Sequence, residues 1–121
     1  MQRRILIIDD NLAFLTLARR RLRERGYTVS IHEYPTESPV TIRHLNPDIV
    51  LINIAMRGLS EEKLSYLIGA SRRFREISII FYTSQTDASL RATAARHGAE
   101  GYIGACDVPR VCDTVSSYLS N

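Results

Sequence analysis

The chain has 121 residues, 45% hydrophobic and 24% charged, a balance expected of one globular domain burying about two thirds of its unfolded surface. No apolar run approaches the ~20 residues of a membrane span, no signal-peptide core opens the chain, and Cys106 and Cys112 offer neither a disulfide framework nor metal-ligand spacing. The expectation is a single domain over residues 1–121 in a reducing cytoplasm. The formal net charge is +3, but the basic residues are arginines spread over several helices with Lys63 the only lysine, so direct nucleic-acid binding is not expected.

Ile5-Leu6-Ile7-Ile8 reads as a first strand, ending in Asp9-Asp10. Leu12, Leu15, Ala18 and Leu22 then recur at helical spacing, which predicts an amphipathic helix from Asn11 to Arg25, stopped by Gly26. Arg19, Arg20, Arg21, Arg23 and Arg25 crowd its second half, as a solvated face that complements the helix dipole. Tyr27 to Ile31 alternates and reads as a half-covered edge strand. Pro35 and Pro39 break the chain; Ser38 as N-cap and Pro39 in the first turn open a short helix that Asn46-Pro47 ends.

The stretch Pro47 to Met56, PDIVLINIAM, holds the third strand. Ile49 to Ile52 is apolar without alternation, as in a parallel strand covered on both faces, and its first polar residue is Asn53. Ser60 followed by Glu61 and Glu62 predicts a helix start, Leu64, Leu67 and Ile68 its buried stripe, and Arg72, Arg73 and Arg75 the basic end that suits its dipole. Ile79 to Tyr82 forms a fourth strand tipped by Thr83-Ser84. Thr86-Asp87 opens an alanine-rich helix through Arg96, closed by Gly98. Gly101-Tyr102-Ile103 is a short fifth strand, and Asp107 caps a last helix with Val108, Val111, Cys112, Val115 and Leu119 on one face.

Strand and helix alternate five times, which implies an α/β fold with a parallel sheet and right-handed crossovers. Ligands in such folds bind outside the carboxyl ends of the strands. Asp9, Asp10, Asn53 and Thr83 all fall on that rim and mark a candidate site. Simpler roles exist for each: the acids can cap the following helix, and Thr83 can be structural. His32, His44 and His97 have no ligand spacing, and the dipole accounts for His97 at a helix end.

ILIIDDN, PDIVLINIAM, IIFYTS and GAEGYI, in this order and at these separations, resemble the receiver domain of bacterial two-component response regulators over essentially the whole chain. The resemblance implies a flavodoxin-like (CheY-like) three-layer sandwich, with five parallel strands in the order 2-1-3-4-5 and five helices. It also implies a phosphoacceptor aspartate at the tip of strand three, an acidic Mg²⁺-binding pair after strand one, and a hydroxyl residue at the tip of strand four. A lysine after strand five and a switch aromatic within it complete the pattern. Asp9 and Asp10 match the acidic pair, Thr83 the hydroxyl and Tyr102 the aromatic. The phosphoacceptor position holds Asn53 and the lysine position Ala105; Cys106 and Arg57 replace prolines common in the family.

A carboxamide is a far poorer nucleophile than a carboxylate and forms no acyl phosphate, and phosphoryl transfer leans on positioned cations. The formal pocket charge nevertheless equals that of the family, because one anion and one cation are lost together. The expectation is therefore an atypical receiver, not an enzyme, that acts as a phosphorylation-independent interaction module with no required cofactor. Mg²⁺ is expected to bind weakly, through Asp9, Asp10 and the carbonyl of Ala55. The Ala105–Cys106 peptide is expected to be trans, because a cis bond outside proline costs about 2.5–4 kcal/mol. A protein partner or a second copy is expected on the surface of the fourth helix, fifth strand and fifth helix, where Tyr102, Arg91, Arg96, Asp107, Arg110 and Asp113 are available. Two alternatives are a conventional receiver carrying a phosphoacceptor substitution and a flavodoxin-like small-molecule binder. The second is weakened because no G-x-G-x-x-G follows a strand and Asp9-Asp10 would repel phosphate.

Overall fold

A computed structural model describes residues 2–33, 39–85 and 88–119. Strand β1 (Arg4–Ile8), helix α1 (Leu12–Glu24), β2 (Thr28–His32), α2 (Pro39–Leu45), β3 (Ile49–Asn53), α3 (Glu61–Ser71), β4 (Ser78–Tyr82), α4 (Leu90–His97), β5 (Gly101–Ile103) and α5 (Val108–Leu119) follow in strict alternation. The five strands form one parallel sheet in the order β2-β1-β3-β4-β5. β2 lies at an edge, as its alternation implies, and all five residues of β3 are buried.

Strand parity divides the core. Ile5, Ile7, Ile49, Leu51, Ile80 and Tyr82 face α1 and α5, where Leu15, Ala18, Leu22, Val111 and Val115 meet them. Leu6, Ile8, Val50, Ile52, Ile79 and Phe81 face the other way, onto Ile42, Leu64, Leu67, Leu90 and Ala94. With both faces covered, the strands need no polar alternation, which is why their sequences read as unbroken apolar runs.

The caps follow local chemistry. Asn11 caps α1 by accepting from the Phe14 N–H, and Ser60 caps α3 by accepting from the Lys63 N–H, with Glu61 and Glu62 in the first turn. Gly26 and Gly98 take the positive φ that ends α1 and α4. The Asp107 carboxylate accepts from the Arg110 N–H at the start of α5. Ser38, Thr86 and Asp87, expected as helix starts, lie outside the described residues; Ala88 and Ser89 form a turn, so α4 begins only at Leu90, later than the sequence suggests.

Three local expectations are corrected. Leu12 is exposed; Phe14 packs against the core instead, because α1 turns residues 14, 15, 18 and 22 toward the sheet. The arginines after α3 do more than complement a dipole. Arg72 donates to the carboxylate of Glu100 and the carbonyl of Gly98, and Arg75 to Asp48 and Asn46. Arg96 and Asp113 are also engaged within the molecule, with Glu61 at 2.7 Å and Arg25 at 2.8 Å respectively.

Candidate functional site

Register and parity build the site. Ile8 pairs with Ile52 and Asn53 with Tyr82, so Asp9, Asn53 and Tyr82 continue one row across three adjacent strands at their carboxyl ends. That row is on the α1/α5 face, continuous with the core positions of Ile7, Leu51 and Ile80. The structure therefore brings Asp9 and Asn53 together, as the sequence suggests, and adds Tyr82, which sequence reasoning treats as apolar strand. Strand order and the two-residue period together were the signal that could have found it.

Asp9 is buried, and both of its carboxylate oxygens are hydrogen-bonded. Its Oδ1 accepts from Asn53 Nδ2 at 2.9 Å and from the Asn11 N–H at 3.0 Å; its Oδ2 accepts from the Tyr82 hydroxyl at 2.5 Å. All three of these donors are neutral. A buried anion normally has a cation or several charge-assisted hydrogen bonds, and here the second solution operates. Burial, and then the Asp9 carboxylate beside it, push the Tyr82 hydroxyl far above the usual phenol range, which keeps it protonated and able to donate. The Tyr82 ring is held in turn by stacking on Phe14 of α1, with centroids 5.3 Å apart.

Asn53 is fixed at both ends of its amide. While Nδ2 donates to Asp9, Oδ1 accepts from the Ala55 N–H at 2.8 Å. Its nitrogen, not its oxygen, faces the acidic residue. Asp10 is exposed, and its Oδ2 accepts from the Arg57 N–H at 3.0 Å.

Thr83 is buried and its hydroxyl accepts from the Gln85 N–H, a local turn that ties the β4–α4 loop to itself. Ala105 has a positive φ of 46°, the Ala105–Cys106 peptide is trans, and the N–H groups of Ala105 and Cys106 donate to the carbonyls of Gln85 and Thr83. The methyl of Ala105 leaves the rim without a cation at that position. Burial, followed by the nearby carboxylates of Asp107 and Asp9, pushes the Cys106 thiol up to about 11, so it stays protonated and unreactive at neutral pH. Tyr102 is apart from this cluster, on β5 and 47% exposed; it is not a core residue.

The residues do not fit a divalent cation as arranged. Mg²⁺ demands near-octahedral oxygen coordination, yet the Asp9 oxygens already accept three hydrogen bonds, Asn53 presents a donor, and Asp10 Oδ2 accepts from the Arg57 N–H. Among the described residues, no group of three or more His, Cys, Asp or Glu side chains is placed to hold a metal.

Residues 5–105 match the family model of the response regulator receiver domain. The chain is 25% identical, over 100% of its length and 99% of the relative's, to the polar-differentiation response regulator DivK of Brucella ovis. It is also 25% identical to the DNA-binding response regulator MtrA of Mycobacterium tuberculosis over 85% of its own length, but spans only 44% of that protein. Among solved structures, a CheY-like receiver domain protein from Methanospirillum hungatei superposes with a TM-score of 0.80 at 21% identity, covering 98% of this chain and 94% of that one. The chemotaxis protein CheY4 of Vibrio cholerae gives 0.80 at 16% identity, with 98% and 100% covered. The fold of these neighbours is the one described above.

Proposed function

The chain belongs to the response regulator receiver domain family, and on that premise we propose that it is an atypical receiver, working as an interaction module without aspartyl phosphorylation and without catalysis of its own. The observation that carries the reading is the orientation of Asn53. At the tip of β3 its amide nitrogen donates to Asp9 and its oxygen accepts from the Ala55 N–H, and a carboxamide offers no nucleophilic carboxylate oxygen. Ala105 contributes nothing to neutralise an incoming phosphoryl group.

Function then resides on the outer surface. Tyr102 and Arg91 are exposed on β5 and α4, and residues of both types are enriched among interface hot spots. A partner protein or a second copy docks on the α4–β5–α5 surface, in the cytoplasm, without waiting for a phosphoryl group. No helix among the described residues is long and apolar enough to cross a membrane.

The test compares partner or self-association for Tyr102→Ala, Arg91→Glu and Asn53→Ala. The reading expects the first two, still folded, to weaken association and the third to retain it. Loss confined to Asn53→Ala would make the pocket the working site and end this reading.

A further inference from the structure

We propose that Tyr82 takes over the place of a cation in this pocket: its phenol holds Asp9 Oδ2 and closes the acidic pair to divalent cations. The proposal deepens the reading of an atypical receiver by naming what replaces the missing charge partner. It rests on four observations. The Tyr82 hydroxyl reaches Asp9 Oδ2 at 2.5 Å, and the other oxygen of the same carboxylate is filled by Asn53 and the Asn11 N–H. The phenol cannot swing away freely, because its ring is buried among the side chains facing α1 and α5 and stacks on Phe14. No buried side-chain polar atom among the described residues is left unpartnered, so the network closes on itself. Among the described residues no ion pair joins Asp9 to a cation, and the only lysine of the sequence, Lys63, is on α3, the helix against the opposite face of the sheet.

The energetics favour closure over metal binding. A cation entering beside Asp9 must displace a charge-assisted hydrogen bond in a water-poor site, and the displaced phenol would be left buried without an acceptor. Asn53 reinforces the effect, because its amide nitrogen would face the metal. Of the two, Tyr82 is the separable part: removing its hydroxyl frees one oxygen of Asp9 while leaving ring, packing and the amide in place.

Mg²⁺ and Mn²⁺ affinities should be measured by titration calorimetry for the full chain, for Tyr82→Phe, and for Tyr27→Phe as a control. Tyr27 also donates through its phenol, but to Ser116, away from the pocket. Tyr82→Phe is expected to bind Mg²⁺ about tenfold or more tightly than the wild type, the equivalent of one charge-assisted hydrogen bond, and Tyr27→Phe to bind it unchanged. Equal affinities for the wild type and a folded Tyr82→Phe would overturn the proposal, as would an equal gain in Tyr27→Phe. If Tyr82→Phe fails to fold, proton NMR of the wild type decides. A slowly exchanging phenolic proton from Tyr82 that persists under millimolar Mg²⁺ supports closure; its rapid exchange, or its loss on adding Mg²⁺, overturns it. None of these readouts depends on phosphorylation, so phosphoryl labelling of the wild type would end the functional reading while leaving this one to its own measurement.

Discussion

At the scale of single residues, the proposed loss of phosphorylation rests on Asn53 and Ala105. Asn53 is a donor to Asp9 at 2.9 Å. Asn53→Asp would turn that donor into an acceptor and set two carboxylates against each other with no cation between them. The variant is expected to lose roughly 1–3 kcal/mol at neutral pH. The repulsion raises a carboxyl pKa in the folded variant, so the loss should shrink as pH falls and one of the pair takes a proton. Urea melts at neutral and mildly acidic pH check both parts, and a variant as stable as the wild type at neutral pH would contradict them. Ala105, with its φ of 46°, sits where a side chain is strained. Ala105→Gly is expected to raise stability by a few tenths to about 1 kcal/mol, the relief of strain being partly offset by the freer unfolded chain. At this scale the sequence was informative about Asp9, Asp10, Asn53 and Thr83, because polar residues stand out at the ends of apolar strands. It was silent about Tyr82, whose hydroxyl becomes a site feature only once β3 lies between β1 and β4.

At the scale of elements, boundaries and caps were largely legible, because capping and glycine stops are local chemistry. Long-range pairings were not. Arg25 with Asp113, Arg72 with Glu100 and Arg96 with Glu61 join residues distant in the chain, and nothing in their local sequence selects one partner over another. The clasp between α3 and α4 shows what such pairs contribute. Glu61 accepts from Arg96 and bonds His97, each at 2.7 Å, while the His97 ring packs edge-on against Phe81. Those two hydrogen bonds, Arg96 first, hold the Glu61 carboxyl below the usual carboxylate range. A depressed folded pKa means that the contribution is present above the unfolded value and lost as pH falls through the folded one. Glu61→Gln is therefore expected to flatten part of the acid limb of the stability curve, with little change at neutral pH because the pair is exposed; an unaltered acid limb would contradict this. The approach of α5 to β5 gives a second check. A Cβ on Gly101 would overlap the Tyr118 hydroxyl, which donates to the Glu100 carbonyl at 2.9 Å. Gly101→Ala should displace that ring and cost about 1 kcal/mol. The cost should vanish in a Tyr118→Ala background if the two residues are coupled.

At the scale of the whole molecule, a five-stranded sheet with two separate apolar faces holds a polar row at one rim and an exposed aromatic on a neighbouring strand. In the proposed reading the rim has become a hydrogen-bonded closure built from neutral donors around Asp9, and the outer surface keeps the signalling role. The fold was legible from the alternation of elements, whereas the closure was not, since it depends on three strands meeting in register. The central claim is that the pocket accepts no phosphoryl group, and the direct measurement is intact-mass spectrometry of the protein after incubation with acetyl phosphate and Mg²⁺. The account predicts an unchanged mass for the wild type, while a stoichiometric, hydroxylamine-labile phosphoryl adduct would contradict it.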